Sequence, residues 1–261
     1  MHGSHGPSGL DANEWRRIQT NYDQSSTELH NTIAKLAHLI ATTDLDKTEM
    51  TAYNACRLIP LDKNPGVRPI GVGEVLRRIV GRTILKCVSN DLKLLGQSDQ
   101  LCLGQKCGIE HAIHALRKVF DTPEAEAVLL IDASNAFNSL NRELALSNIQ
   151  AICPSLTNAL DNSYKSPSLL FVNGKTILSQ EGTTQGDPLA MAMYGVALLP
   201  LIKLVKDEKL TQKWYADDGN AVGSFESLAA LHFRIYSDQV QRCRQRSFTR
   251  QSSSCLQLEG C

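Results

Sequence analysis

Three aspartates at the ends of apolar segments are the residues of this sequence best suited to chemistry. Asp217 and Asp218 lie between two short apolar runs, and Asp132 directly follows the apolar run 128–131. If each run forms a strand, the three carboxylates meet at strand ends. Carboxylate oxygens are preferred ligands of magnesium, and two magnesium ions can hold both reacting oxygens of an in-line phosphoryl transfer. The pattern therefore indicates an enzyme that transfers nucleotidyl groups.

A hairpin is the element expected to position the acid pair. Asp218-Gly219 between extended segments is a strong hairpin signal, so we expect antiparallel strands over residues 213–216 and 220–224, with the carboxylates at the tip. Asp and Gly are also favoured in turns for conformational reasons alone, and most such turns are solvated. Taken by itself, the Asp-Asp-Gly turn leaves this alternative open.

The composition limits the class of protein. The chain has 261 residues, a formal net charge of 0 and 42% hydrophobic residues, which suits one sizeable domain or two small ones. It contains neither a long apolar run nor a charged leader followed by an apolar stretch, so we expect no membrane span, no secretory signal and an intracellular location, in nucleus or cytoplasm. Its 8 cysteines lack a Cys-x-x-Cys spacing, which predicts reduced thiols and no zinc site.

Positive charge is concentrated in residues 57–93, where lysines and arginines outnumber acidic residues. Such a local excess fits contacts to phosphate. Within this stretch we expect a hairpin over residues 58–73, with a type II turn at Asn64-Pro65-Gly66. An amphipathic helix is expected over residues 75–88. Its polar face carries two adjacent arginines, Arg77 and Arg78.

The order of the remaining elements predicts the fold class. Residues 1–25 have no apolar periodicity and are expected to be a flexible lead-in. A second hairpin is expected to turn at Asn173-Gly174, and an apolar helix to begin at Asp187, with Pro188 in its first turn. Strands and helices interleave without a βαβ repeat, which predicts an α+β fold with a mainly antiparallel sheet.

The motifs, in this order, resemble the reverse transcriptases of retroelements, which are RNA-directed DNA polymerases with a right-hand fold. Residues 130–138 (LIDASNAFN), 185–189 (QGDPL) and 215–218 (YADD) resemble the three palm motifs of that family. Residues 61–70 resemble its fingers hairpin, and residues 104–108 resemble the element before the palm. The sequence around Asp132 and Asp217 is most similar to the sequences of cellular retrotransposons.

The resemblance implies a domain organisation. It implies an α+β right-hand polymerase palm, an antiparallel sheet backed by helices, with partial fingers and no thumb. Residues 26–125 would form fingers-like helices and a hairpin, after the lead-in 1–25, and residues 126–240 would form the palm. Residues 241–261 are polar and basic without periodicity, so we expect a disordered tail there.

The resemblance also implies the metal site. Asp132 and Asp217 would bridge two Mg²⁺ ions, with Mn²⁺ as a substitute, and the backbone carbonyl of Ala133 would add a ligand. Asp218 would assist at the edge of the site. These three aspartates would be the catalytic residues for adding deoxynucleotides to a primer 3′-hydroxyl. For Asp132, the alternative is a solvated acid that caps a strand end.

Further residues would bind the nucleotide and the nucleic acid. Lys63 and Arg68 would hold the β- and γ-phosphates, and Gln185 and Gly186 would line the nucleotide pocket. Phe137 would lie under the sugar and exclude a ribose 2′-hydroxyl, so that DNA is the product. The alternatives are a solvated hairpin tip, a loop before a helix and a core aromatic, respectively. Contacts to nucleic acid are expected from three more residues: Arg77, Arg78 and Tyr215.

Two classes of function stay open. The first is a polymerase that uses deoxynucleoside triphosphates and an RNA or DNA template with primer, alone or with a protein partner in place of the missing thumb. The second is a truncated, inactive retroelement relic that at most binds nucleic acid or a protein. An RNA-directed RNA polymerase shares the acidic turn but is disfavoured by Phe137 and by Ala216, where glycine is usual. No membrane is expected as a partner.

Overall fold

The protein consists of helices packed around two β-sheets. A computed structural model describes residues 4–247, with side chains up to residue 237. The helices are α1 (Ala12–Thr20), α2 (Asp23–Thr42), α3 (Lys47–Asn54), α4 (Val75–Cys87), α5 (Ser89–Gly96), α6 (Gly108–Phe120), α7 (Ala136–Ser139), α8 (Arg142–Ile152), α9 (Thr157–Tyr164), α10 (Ala190–Val205) and α11 (Phe225–Ser247). The strands are β1 (Cys56–Asp62), β2 (Val67–Gly73), β3 (Ala127–Ile131), β4 (Ser168–Val172), β5 (Lys175–Ser179), β6 (Thr211–Tyr215) and β7 (Asp218–Gly223).

The strands form two separate sheets. The four-stranded sheet has the order β2-β1-β4-β5, and the three-stranded sheet has the order β3-β7-β6. Neighbouring strands are antiparallel except for β1 and β4, which run parallel with Cys56 opposite Leu170. The arrangement is therefore mainly antiparallel, as expected. The parallel pair joins two hairpins that lie far apart in the sequence.

Both hairpins of the four-stranded sheet lie where the sequence predicts them. The second turns at Asn173 and Gly174, whose φ angles of 47° and 71° are those of a type I′ turn. The first pairs Asp62 with Val67 at its tip. Its turn differs from the expected type II form, because the Asn64–Pro65 peptide bond is cis.

The N-terminal segment is ordered where we expected a flexible lead-in. Asp11 caps α1 by accepting hydrogen bonds from the N–H groups of Asn13 and Glu14, and the Glu14 side chain accepts one from the Asp11 N–H in return. This is a capping box, which satisfies backbone donors at the start of a helix. Trp15 on α1 then packs against the buried core. The missing apolar periodicity therefore did not exclude a helix.

At the other end, α11 continues further than expected. We predicted a disordered tail over residues 241–261, but the helix ends at Ser247. The rest of the predicted tail, residues 248–261, lies outside the described residues.

The buried apolar side chains of the described residues form three clusters, of which two are large. The larger one packs α2, α4, α8, α9 and α10 together. The second lies between the three-stranded sheet and helices α10 and α11. It includes Ile131, Leu210, Trp214, Leu231 and Ile235. Each large apolar side chain that is buried in this way contributes about 1.5–3 kcal/mol. The second cluster therefore fixes the strands on which the candidate acids are carried.

Two expectations from the composition can be compared with the structure. The cysteines whose side chains are described are free thiols, as predicted: Cys56, Cys87, Cys102, Cys107 and Cys153. In residues 4–247, none of the helices combines the length and the apolar composition that crossing a bilayer requires.

Candidate active site

The three-stranded sheet brings the predicted acids to one edge. Ile131, the last residue of β3, pairs with Gly219 on β7, so the register carries Asp132 next to Asp218. Tyr215 on β6 pairs with Asp218, which leaves Ala216 and Asp217 as a two-residue turn. We expected the turn to extend to Asp218-Gly219, whereas these two residues belong to β7.

Packing explains why Gly219 is a glycine although it lies outside the turn. Gly219 is paired across the hairpin with Trp214, and a Cβ at Gly219 would come within 2.5 Å of the Trp214 ring. Trp214 is buried in the cluster under the sheet. The absence of a side chain at Gly219 therefore leaves space for the indole ring. The Asp218-Gly219 pair, which predicted a turn, has its glycine for this packing reason.

The three carboxylates act on one another electrostatically. Burial raises the pKa of the Asp217 carboxyl above its ordinary value, and the charges of Asp218 and Asp132 raise it further. Burial also raises the pKa of Asp218, again with a contribution from Asp132. Arg68 lowers the pKa of Asp217, so its guanidinium charge reaches the carboxylates from the β1–β2 hairpin. The site concentrates negative charge next to a cationic side chain.

The three carboxylates have the chemistry of a divalent-cation site, but their side chains do not converge on one point. Among the residues that the structure describes, no three His, Cys, Asp or Glu side chains converge closely enough to hold a metal ion. The donors are nevertheless hard oxygens on mutually repelling carboxylates, the groups that Mg²⁺ binds. Ala133, whose carbonyl was expected to add a ligand, is buried directly after the exposed Asp132.

Phe137 lies on the short helix α7 and is half-buried. Its ring stacks on Tyr194 of α10, with ring centroids 4.7 Å apart and an interplanar angle of 23°. The Thr183 N–H donates a hydrogen bond of 2.6 Å to the Phe137 carbonyl oxygen. Tyr194 is a residue that sequence reasoning missed, since an aromatic inside an apolar helix gives no signal beyond core packing.

The predicted pocket residues Gln185 and Gly186 lie in the loop before α10 and touch strand β2. The Gly71 N–H donates a hydrogen bond of 2.8 Å to the Gln185 carbonyl oxygen. Gly186 has a φ of 106°, and a Cβ there would come within 2.7 Å of the Gly71 carbonyl oxygen. Only glycine allows this backbone approach, so the loop and the β1–β2 hairpin form one wall.

Arg77 does not lie on a polar face of α4, which corrects its expected contact with nucleic acid. It is 4% exposed and forms a buried ion pair with Asp187, with an Nε–Oδ2 distance of 2.7 Å. Its guanidinium also donates to Asn54 and lies 5.4 Å from the centre of the Tyr53 ring. A charge that is buried and paired in this way is not available to phosphate.

Asp187 also bears on the start of α10, which begins later than expected. Asp187 was predicted to cap the helix, but α10 starts at Ala190. The Asp187 carboxylate accepts a hydrogen bond from the Leu189 N–H, at 2.7 Å, in addition to its bonds from Arg77. The Asp187 side chain, which was predicted to cap α10, therefore fixes the loop at residues 182–187 to α4.

The remaining predicted residues lie around this centre. Lys63 is exposed at the tip of the β1–β2 hairpin, where its N–H donates to the Gly66 carbonyl oxygen. Arg78 is half-buried and donates a hydrogen bond of 2.7 Å to the Ser4 carbonyl oxygen. Tyr215 is half-buried beside Ala216 at the end of β6. The structure thus brings Arg68 to the acids, and keeps Arg78 at the N-terminal segment.

Comparison with known families decides the class of protein. Residues 61–253 match the family described as reverse transcriptase (RNA-dependent DNA polymerase). That match covers well over half of the 261 residues. The chain belongs to this reverse transcriptase family. The matched region includes the acids, the aromatic stack and the glycine loop, and it extends past residue 247 into the segment that was predicted as a tail.

Solved structures similar to this reverse transcriptase include telomerases from two Candida species. Apo telomerase from Candida tropicalis is 11% identical with a TM-score of 0.55, over 89% of this chain and 47% of that one. A form of it truncated from the C-terminal domain is 15% identical with a TM-score of 0.52, over 85% and 55%. Telomerase from Candida albicans, in complex with a fragment of telomeric RNA, is 9% identical with a TM-score of 0.55, over 82% and 45%.

These likenesses are evidence for the fold alone, and the reverse transcriptase described here spans about half the length of the solved telomerases. No curated protein matches the chain in sequence. The predicted fold class, α+β with a polymerase palm, is confirmed. We call the three-stranded sheet that carries the acids the palm sheet. The family is described as RNA-dependent DNA polymerases, which are nucleotidyltransferases.

The buried ion pair leads to a prediction about stability. We expect Arg77→Met to lower the free energy of unfolding by about 3–5 kcal/mol, because Asp187 stays buried without its charged partner. Urea denaturation followed by circular dichroism measures the loss. The matched control is Arg78→Ala, which removes the neighbouring half-buried arginine and should cost less than about 1 kcal/mol. Equal losses in the two variants would contradict the buried pairing.

The clustered carboxylates lead to a second stability prediction. Without divalent ions, we expect Asp217→Ala to leave the free energy of unfolding unchanged or to raise it by up to about 1 kcal/mol, because it removes repulsion from a half-buried site. The control is Asp207→Ala, since Asp207 is paired with Arg234 and its removal should destabilise the fold slightly. Denaturation in the presence of a chelator gives both values. A strong destabilisation by Asp217→Ala would rule out a repulsive cluster.

Proposed function

We propose that this reverse transcriptase domain extends the 3′-hydroxyl of a primer with deoxynucleotides and copies an RNA template by two-metal-ion chemistry. The observation that supports the proposal most directly is the meeting of Asp132, Asp217 and Asp218 at one edge of the palm sheet. Arg68 adds a positive charge that reaches the same point. Acids and cation together suit a reaction in which a triphosphate is positioned and its charge is neutralised.

The acids are the residues proposed to hold the ions, with the Ala133 carbonyl as a further ligand. Mg²⁺ is the expected ion and Mn²⁺ its substitute. When bound, such ions lower the pKa of the attacking hydroxyl and neutralise charge on the triphosphate. The raised pKa values of Asp217 and Asp218 support the assignment, because a bound cation relieves the repulsion that contributes to them.

The nucleotide would lie between the β1–β2 hairpin and the palm sheet. In this arrangement Arg68 and Lys63 bind its phosphates, and Gln185 and Gly186 line its pocket from the loop that contacts β2. Phe137 is held by its stack on Tyr194, so its ring edge has a fixed position. A fixed aromatic beneath the sugar would exclude the 2′-hydroxyl of a ribonucleotide, which makes DNA the proposed product.

The proposed organisation follows the resemblance to the family. Residues 26–125 serve as fingers and residues 126–240 as the palm, although β4 and β5 of the second region complete the sheet of the first. The proposed partners are an RNA or DNA template with its primer, contacted by Tyr215 and Arg78, and a protein that adds grip on the duplex. The origin of the chain in a cellular retrotransposon belongs to the same proposal.

Primer extension tests the proposed reaction. With an RNA template annealed to a DNA primer, deoxynucleotides and Mg²⁺, we expect extension that a chelator abolishes and that Asp217→Ala reduces by at least about 100-fold. The matched control is Asp44→Ala, which removes an exposed acid paired with Lys165 and should leave the rate unchanged. If the folded wild type binds RNA in a salt-dependent manner and extends nothing, an inactive nucleic-acid-binding relic replaces the proposal.

Sugar selection tests the role of Phe137. We expect Phe137→Val to reduce discrimination against ribonucleotides by about 10–100-fold, because the smaller side chain leaves space for a 2′-hydroxyl. Single-nucleotide incorporation of paired ribo- and deoxynucleotides measures the ratio. Phe171→Val on β4 removes a partly exposed aromatic in the other sheet and should leave the ratio unchanged. Unchanged selection in the Phe137 variant would assign that ring to core packing.

A further inference from the structure

The buried side chain of Gln100, which is 0% exposed, holds the turn that carries Asp217. The Cys102 thiol also contacts the Ala216 backbone in this turn. The Gln100 Nε2 donates a hydrogen bond of 3.1 Å to the Ala216 carbonyl oxygen. The Ala216 N–H donates one of 2.9 Å to the Gln100 Oε1. Both polar groups of the Ala216 backbone are thus bound by a single amide side chain.

The backbone of Gln100 is itself fixed against the palm sheet. The Trp214 N–H donates to the Asp99 carbonyl oxygen and the Leu101 N–H donates to the Trp214 carbonyl oxygen, both at 2.8 Å. Gln100 and Trp214 therefore form a parallel bridge along the outer edge of β6. Leu101 is fully buried. The amide of Gln100 thus reaches the turn from a rigid support.

Ala216 needs such support because of its conformation. Its φ is 54°, in the left-handed region that residues with a Cβ disfavour. It is also 3% exposed, so water cannot satisfy its N–H and C=O groups. The two bonds from Gln100 satisfy both groups in this conformation. Asp217 follows directly, so the backbone of Ala216 determines where its carboxylate lies.

We propose that Gln100 is a positioning residue of the active site, which holds Ala216 in the left-handed conformation and thereby keeps Asp217 beside Asp132 and Asp218. Its effect on catalysis rests on the proposed polymerase function. Gln100 touches neither substrate nor metal in this proposal. It acts on the acids through the backbone of the turn, against the repulsion between their charges.

The test compares Gln100→Met with a buried amide elsewhere. Methionine keeps the length of glutamine and removes both hydrogen bonds. The matched control is Asn162→Leu, since Asn162 is buried and bonds to the Ile40 and Thr43 carbonyls and the Leu45 N–H, away from the hairpin. We expect Gln100→Met to lower kcat for primer extension by about 10–100-fold while KM for the nucleotide stays within about threefold. Asn162→Leu should lower Tm and leave kcat unchanged.

Amide hydrogen exchange tests the positioning without any catalysis. In the wild type the Ala216 amide should exchange slowly, and in Gln100→Met it should exchange at least about 10-fold faster while the β6–β7 ladder amides stay protected. Unchanged protection of the Ala216 amide would overturn the proposal whatever the activity. A wild type without extension would refute the proposed function, and the exchange data would still decide whether Gln100 holds the turn.

Two further variants keep the test decisive if Gln100→Met folds poorly. Gln100→Glu retains an acceptor for the Ala216 N–H and loses the donor to the carbonyl, so we expect partial protection of that amide. Ala216→Gly removes the need for support, because glycine adopts a positive φ freely. The kcat loss caused by Gln100→Met should therefore be smaller in the Ala216→Gly background. Strictly additive losses would overturn the positioning role.

Discussion

Mutual repulsion between Asp132, Asp217 and Asp218 is the constraint on which the rest of the palm depends. Like charges that lie close together at the edge of a sheet destabilise the folded state unless a cation is present. Other interactions must therefore fix the backbone that carries them. The register of β3, β7 and β6 does so directly, since the pairing of Ile131 with Gly219 places Asp132 next to Asp218. The apolar cluster beneath these strands, with helices α10 and α11, supplies the free energy that keeps the register.

A second constraint fixes the β1–β2 hairpin relative to the palm. The Gly186 backbone touches the Gly71 carbonyl at a distance that excludes a side chain. On the other side of the same loop, Asp187 is locked to Arg77 on α4. Two buried charges contribute little net stability, because desolvation offsets their attraction. Their geometry is specific, however, and it holds the loop between the two sheets in one position. The walls of the proposed nucleotide pocket are therefore rigid with respect to each other.

The sequence predicted those parts of the molecule that depend on local rules. The Asn173-Gly174 hairpin follows from turn chemistry, and the acidic strand ends follow from apolar runs that stop at an aspartate. The helix over residues 12–20 was missed because its apolar periodicity is weak. A capping box and one buried contact of a tryptophan stabilise it instead. The Asp-Gly signal placed the turn of the acidic hairpin too far along the chain, because Gly219 is needed for the Trp214 ring.

Long-range partners are the part that could not be predicted. In the sequence of an amphipathic helix, an arginine that forms a buried ion pair cannot be distinguished from one that contacts phosphate. Arg77 and Arg78 were therefore given the same predicted role. Their partners, Asp187 and the Ser4 carbonyl, are remote in the sequence. The same holds for Tyr194 under Phe137. Contacts between residues that are remote in the sequence are seen only in the folded chain, because the pattern of a single sequence does not show which elements pack together.

The use of a neutral side chain at Gln100 follows from the electrostatics of the palm. A lysine or arginine in its place would attract the three carboxylates and neutralise the charge that a divalent cation needs. An acidic residue would add to their repulsion and would lack a donor for the Ala216 carbonyl. An amide offers one donor and one acceptor without net charge, which matches the two backbone groups of Ala216. The backbone of the turn can therefore be fixed while the negative potential of the site is preserved.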